Sequence, residues 1–400
     1  MAKPDQEFQI AVPTRIVFGA GKSRDLGNLL SQRGYRSVMV CTDANLVEAG
    51  VLQGIESCLQ AAKVDYFVYD QVKENPDIET VLAAKKRAQG EHADCLVGVG
   101  GGGPIDVAKA LSVALTHKGD IRDYIAYTTG QKKPIDGNLL PIVAVPTTAG
   151  SGAEVSPVAV IVDKEIRTKV GFFSERLFPE LAVIDPALSV TLPPGPTAGA
   201  GLDVFAHAFD AFVSRKATLY TDALAKGAME SVFRNLRTAV WQGDDLQARS
   251  AMSAASIMAL LAIYLGKGGA VHTIGEPLGT ICDLPHGYAC GIAIPAMMKY
   301  LLPVCRGQLA EIHALSCSFA HGRREAEDPA SACIVGMKRL IRETGLPALS
   351  AVLSKPDIDK LSDASAAHLA VDRVPMPISR KDYIKLYGEI LSDGYLEETR

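Results

Sequence analysis

Asp203 and His207 stand four residues apart in the run GLDVFAHAFDAF, residues 201–212. On a helix that spacing puts a carboxylate and an imidazole on one face. The neighbours Val204, Phe205, Ala208, Phe209, Ala211 and Phe212 are apolar on nearly every side, so the helix is expected to be buried. An ionised carboxylate there is costly unless something pairs with it. A divalent cation shared with His207 is one such partner. His272 and His286 follow, fourteen residues apart across a stretch containing Gly and Pro. Three imidazoles and one carboxylate suit zinc or iron(II). Taken singly, each histidine reads more readily as an ordinary core or surface residue; the helical Asp/His pair is what raises the metal reading.

A second chemistry is written in Gly100-Gly101-Gly102-Gly103-Pro104, which follows a strand-like run at 94–99 and precedes a helical pattern at 105–115. Glycines let a backbone approach a ligand closely, and Pro104 suits a first helical turn. The free N–H groups of that turn, with the helix dipole, form an anion site fit for a pyrophosphate. The order is unusual for a dinucleotide fingerprint, in which the ribose-binding acid follows the glycines. Here the candidate acid, Asp43, ends a strand well before them, so it either contacts the ribose in a different arrangement or caps a turn. A second loop of small residues, 146–152, brings Thr147 and Thr148, whose hydroxyls could hold ribose and nicotinamide groups or serve only a polar turn.

The elements that must position these residues fall into two halves. Runs at 37–41, 64–69, 94–99 and 142–145 read as strands, with helical patterns between them at 78–88 and 105–115. Apolar strands alternating with helices imply a mostly parallel sheet covered on both faces. Phe8–Val12 and Arg15–Phe18, around a Pro-Thr break, suggest an N-terminal hairpin with exposed edges that a second subunit could cover. The stretch TLPPGPTAGAG (191–201) suits an interdomain joint. Beyond it, segments at 248–265 and 330–344 favour helix. The expected organisation is an α/β dinucleotide-binding domain over 1–190 and an all-helical metal-binding and substrate domain over 191–400.

Of the 400 residues, 48% are hydrophobic and 22% charged, and the net charge is −4, so no basic surplus points to nucleic acid. The start, MAKPDQEFQI, has no signal-like apolar run. The stretch 251–265 is too short and too serine-rich for a membrane span and reads as a buried helix. Eight cysteines without a C-x-x-C pair suggest reduced thiols, mostly core fillers, in a cytoplasmic protein.

Taken together in order and spacing, GVGGGGPIDVAKA (98–110), VPTTAGSGAEVS (145–156), LAVIDPALSVTLPP (181–194), GLDVFAHAFDAF (201–212) and GAVHTIGEPLGTICDLPHG (269–287) resemble the iron-containing (group III) alcohol dehydrogenases. The resemblance implies a dehydroquinate synthase-like architecture with a metal in the cleft between the domains. It implies metal ligands at Asp203, His207, His272 and His286, with Fe(II) first and Zn(II) second. It implies NAD contacts at Asp43, Gly100, Gly101, Gly102, Gly103, Asp106, Thr147, Thr148 and Lys169. The implied activity is hydride exchange between a small alcohol/aldehyde pair and NAD(H), in a homodimer or larger assembly. Glycerol dehydrogenase and dehydroquinate synthase share the architecture but fit less well. A lyase of the latter type would want Lys and Arg around 265–290, where none cluster. A metal- or nucleotide-sensing protein is the non-enzymatic alternative.

Two positions depart from the family pattern. Gly103 stands where a serine is usual. Glu276 stands in His272-Thr-Ile-Gly-Glu276-Pro277 where a second histidine is usual. A residue before proline is pushed away from helical geometry, so Glu276 is expected to end a helical turn. It could ligate the metal, take a proton from the substrate hydroxyl, contact a polar or cationic substrate group, or merely bond a backbone N–H. Among the active roles, polar substrate contact with a share in proton transfer is favoured.

Overall fold

Val38 and Val40 point to one face of a strand and Met39 and Cys41 to the other, and all four are buried in separate apolar clusters. The next strand behaves alike, with Leu96 on one side and Cys95, Val97 and Val99 on the other. Strands apolar at every position demand cover on both faces, which parallel sheets obtain from their crossover helices. The computed structural model describes residues 7–126, 132–166, 168–317, 326–353, 356–392 and 395–396. They divide into one unit of residues 11–191 and another of residues 192–400 that also includes the segment ending at Ile10.

In the first unit the strands are β1 (Arg15–Phe18), β2 (Ser37–Cys41), β3 (Asp65–Tyr69), β4 (Cys95–Gly100), β5 (Ile142–Pro146), β6 (Val158–Asp163), β7 (Thr168–Phe173) and β8 (Leu181–Ile184). Its helices are α1 (Leu26–Gln32), α2 (Ala44–Glu48), α3 (Val51–Ala61), α4 (Ile78–Arg87) and α5 (Gly102–Thr116). The six-stranded sheet has the order β1-β8-β5-β4-β2-β3 with every pairing parallel. β6 and β7 form a separate antiparallel pair, two strands not among those expected from the sequence. The chain runs outward from β2 to β3 and then returns past β2 to β4, so the direction of winding reverses between β2 and β4. Ligands of open α/β sheets bind at such a switch point, beyond the carboxyl ends of the strands. Asp43 follows β2, Gly101–Gly103 follow β4, which Gly100 closes, and Thr147 and Thr148 follow β5.

The expected N-terminal hairpin does not form. Residues 8–12 are not strand, and β1 pairs in parallel with β8 from the far end of the unit, Arg15 opposite Leu181 and Phe18 opposite Ile184. Local alternation cannot distinguish a strand that pairs with its sequence neighbour from one that pairs 166 positions later.

The second unit is helical: α6 (Pro194–Val213), α7 (Leu219–Trp241), α8 (Leu246–Gly266), α9 (His272–Ile281), α10 (His286–Cys317), α11 (Pro329–Glu343), α12 (Leu349–Val352), α13 (Ile358–Ala366) and α14 (Arg380–Leu391). Much of the Pro/Gly-rich stretch expected as a joint is the first turns of α6, with Pro194 at the first helical position. α8 and α10 are long and apolar enough to cross a membrane, but 56% and 72% of their most apolar windows are buried within the protein. They are core helices. Gly287 fixes how α10 meets α6: a Cβ there would lie 2.4 Å from the Gly199 carbonyl oxygen. Only bare backbone allows that approach, and it seats His286 against the helix carrying Asp203 and His207.

Candidate metal centre and cofactor loops

α6 is buried on nearly all sides, and three ionisable side chains interrupt it: Asp203, His207 and Asp210. They recur at helical spacing and share a face. α9 brings His272 and α10 brings His286 to that face. Asp203 Oδ1 lies 3.7 Å from His272 Nε2 and 3.6 Å from His286 Nε2. The His207 ring stacks on His272 at 4.7 Å, and its Nδ1 lies 4.0 Å from Asp203 Oδ2. Asp203 Oδ1, His207 Nδ1 and His272 Nε2 are buried without a hydrogen-bond partner. Buried polar atoms are nearly always satisfied; Asp203 Oδ1 and His272 Nε2, facing each other at 3.7 Å with His207 beside them, define a place for a cation. Two donors about 2.1 Å from one ion at a tetrahedral angle lie about 3.4 Å apart, close to the separations here. Burial pushes the Asp203 carboxyl up, but His207, His286 and His272 together hold it well below the usual carboxylate range.

Two residues here escaped the sequence reading. Asp210 Oδ2 accepts from His272 Nδ1 at 2.8 Å, and Asp210 Oδ1 accepts from the Val271 amide at 2.7 Å. With Nδ1 protonated toward Asp210, Nε2 keeps its lone pair, and Nε2 is the atom that faces Asp203. A carboxylate behind a histidine fixes tautomer and ring orientation in this way. The spacing 203, 207, 210 was the available signal. The other is Cys290, expected as core filler. One ligand atom from each of Asp203, His272, His286 and Cys290 lies within 4.8 Å of every other; His207 flanks that group.

Glu276 does not end a helical turn. α9 runs through Pro277 to Ile281, losing one amide donor while Ile274, Pro277 and Leu278 pack into the interior. Its carboxylate therefore follows His272 by one helical turn. His368, just after α13, meets it: His368 Nε2 donates to Glu276 Oε2 at 2.7 Å while His368 Nδ1 accepts from the Ala370 amide at 3.1 Å. That amide bond directs the His368 Nε2–H at the Glu276 carboxylate. Burial pushes the Glu276 carboxyl up, but His368, His272 and His286 outweigh it and hold it well below its usual range. No local pattern marks His368, 92 residues away.

In the first unit, Gly100 closes β4 at φ +148°, and a Cβ there would lie 2.6 Å from Pro104. Gly101 precedes α5, and Gly102 and Gly103 form its first turn, so the helix starts earlier than expected. The Thr147 amide donates to the Gly100 carbonyl at 2.9 Å, joining the two loops. Thr147 is buried and Thr148 partly so. Asp43 caps α2, accepting from the Leu46 amide at 3.1 Å. Asp106 Oδ2 accepts from the Val160 amide, while its buried Oδ1 has no hydrogen bond and lies 3.7 Å from Lys109 Nζ. Burial, offset by Lys109 and Lys169, pushes the Asp106 carboxyl up to about 6. Lys169 thus sits on β7 within electrostatic reach of Asp106. The fully buried Lys109 donates to the Ala153 and Val158 carbonyls, pinning the β5–β6 connection to α5.

Residues 13–186 match the family described as iron-containing alcohol dehydrogenase, and residues 197–391 match its C-terminal counterpart. The chain is 30% identical to a choline dehydrogenase of Bacillus subtilis (strain 168), covering 94% of this chain and 93% of that one. It is 32% identical to an NAD-dependent methanol dehydrogenase of Bacillus methanolicus, covering 84% and 87%. A solved 1,3-propanediol oxidoreductase superposes with a TM-score of 0.89 at 29% identity, covering 96% of this chain and all of the other.

Proposed function

The chain belongs to the iron-containing alcohol dehydrogenase family, and from that premise we propose which residues perform its chemistry and what kind of alcohol it takes. It is a metal-dependent oxidoreductase that exchanges hydride between an alcohol/aldehyde pair and NAD(H). The observation that carries the metal assignment is the set of buried, unsatisfied donor atoms on Asp203, His207 and His272. These three residues with His286 would hold the divalent ion, Fe(II) first and Zn(II) second. When bound, the metal polarises the substrate oxygen and lowers the hydroxyl pKa. A bound nicotinamide would supply the hydride acceptor or donor, and the protein's part is orientation and electrostatics.

Each remaining residue has a task at a stated atom. Asp210 holds His272 in the tautomer that leaves Nε2 a lone pair. The amides of Gly101, Gly102 and Gly103 at the start of α5 face the pyrophosphate. Asp106 and Lys169 flank that turn, and Thr147 and Thr148 offer hydroxyls to the ribose and nicotinamide amide. Asp43 spends Oδ1 on capping α2 and offers Oδ2 to the adenosine ribose, a placement that disfavours a 2′-phosphate. The enzyme is read as soluble and cytoplasmic, and as a homodimer or larger.

Glu276 sets the substrate class. His368 occupies Oε2 and fixes the carboxylate, which turns Oε1 toward the polar end of a substrate and lets it share the hydroxyl proton. A carboxylate in that place favours neutral polar or cationic alcohols and repels anionic ones. The relation to a choline dehydrogenase is in keeping with this. The test is Glu276→Gln, with the metal-loaded enzyme assayed with NAD on choline, 1,3-propanediol, methanol and the anionic alcohol isethionate. The expected outcome is unchanged metal content and NAD affinity, a fall in kcat/KM of roughly 100-fold on the preferred alcohol, and a smaller relative penalty on isethionate. Wild-type kinetics on all four would return Glu276 to a structural role, and loss of metal would make it a ligand.

A further inference from the structure

His286 and Cys290 are one turn apart at the start of α10, so both project from the face that α10 turns toward α6 and α9. Cys290 is fully buried. Its Sγ lies beside the His286 ring, 3.7 Å from Nε2 and 3.9 Å from Nδ1, and that Nε2 stands 3.6 Å from Asp203 Oδ1. The sulfur is also within 4.8 Å of the nearest donor atoms of Asp203 and His272. Both of those residues are more than nine-tenths buried, and Asp203 Oδ1 and His272 Nε2 lack hydrogen-bond partners, so the sulfur adjoins a cluster already short of a cation. The facing helix makes room for it: a Cβ on Gly275 of α9 would lie 2.5 Å from Cys290 Sγ. Any larger residue at 275 would drive the sulfur out of the group.

Resting on the metal reading above, we propose that Cys290 is a further donor to that metal, making the centre a mixed oxygen, nitrogen and sulfur site rather than one of carboxylate and imidazoles alone. A thiolate is a soft ligand and shifts preference toward zinc and other thiophilic ions relative to Fe(II). Coordination releases the thiol proton to the buffer, since a metal-bound thiol is deprotonated outright.

The experiment loads metal-free full-length protein with Co(II) and records its absorption. Thiolate bound to Co(II) gives an intense near-ultraviolet charge-transfer band that oxygen and nitrogen donors do not. The wild-type protein is expected to show this band at one Co(II) per chain. Cys290→Ser and Cys290→Ala are each expected to keep the weaker visible cobalt bands while losing the ultraviolet one. Zinc titration in weak buffer is expected to release about one more proton from wild type than from Cys290→Ser. In competition, zinc should lose ground to Fe(II) in both variants. Visible bands without the charge-transfer band in wild type, or the same band in wild type and both variants, would overturn the proposal while leaving the metal reading intact. Failure of wild type to take up Co(II) would overturn both.

Discussion

Asp210 touches no substrate, yet its two oxygens hold both the backbone and the ring of His272. Asparagine at 210 would present an amide that donates as readily as it accepts, and His272 could then place its proton on Nε2, the atom needed for the ion. Asp210→Asn is expected to weaken metal binding about 10–100-fold with little change in thermal stability of the metal-free protein, read by titration with a chromophoric chelator. Wild-type affinity in the variant would reduce Asp210 to a helix-to-loop tie. Single residues were unevenly legible in the sequence. Asp203, His207, His272 and His286 stood out because a charged or imidazole side chain amid apolar neighbours needs a reason. Asp210 had the same signal but sat among aromatic residues at the end of the run. Cys290 was hidden because a buried cysteine is ordinarily inert packing.

Helices α6, α9 and α10 bring their donors together because small residues stand where they meet. Gly287→Ala places a Cβ 2.4 Å from the Gly199 carbonyl oxygen, a backbone atom that cannot rotate away. It should cost about 1–3 kcal/mol and loosen metal retention, because His286 is the adjacent residue. Gly388, in α14, has open space where a Cβ would go, so Gly388→Ala should instead stabilise by about 0.5–1 kcal/mol. Paired urea titrations of the two variants decide this, and equal destabilisation would show that helix approach is not limiting. At this scale the central strands and the long helices were legible from runs of apolar residues and helix formers. The partner of β1 was not, because pairing with β8 is decided by the sheet. The end of α9 was misjudged because the packing of Ile274 and Leu278 outweighs the local preference of the residue before Pro277.

For the whole molecule, β1 leaves one side of the main sheet unpaired among the described residues, with Ile16 37% and Phe18 41% exposed on it. Open apolar strand edges are usually covered, and a second copy of β1 is the reading favoured here. Light scattering at micromolar concentration should give a dimer or a multiple of it, and Ile16→Lys with Phe18→Lys should shift it toward monomer; a wild-type monomer would remove this assembly. The division of the chain has a different consequence, in the order of biogenesis. Phe8 sits with the helical unit, its ring 6.3 Å from that of Tyr220, although all of residues 11–191 lie between it and the rest of that unit. Translation at about 5–20 residues per second therefore delivers the whole α/β unit before the N-terminal segment has anything to dock on. A stretch made before the α/β unit is thus among the last to find its place, and a nascent chain stalled near residue 191 would present Phe8 and Ile10 to chaperones.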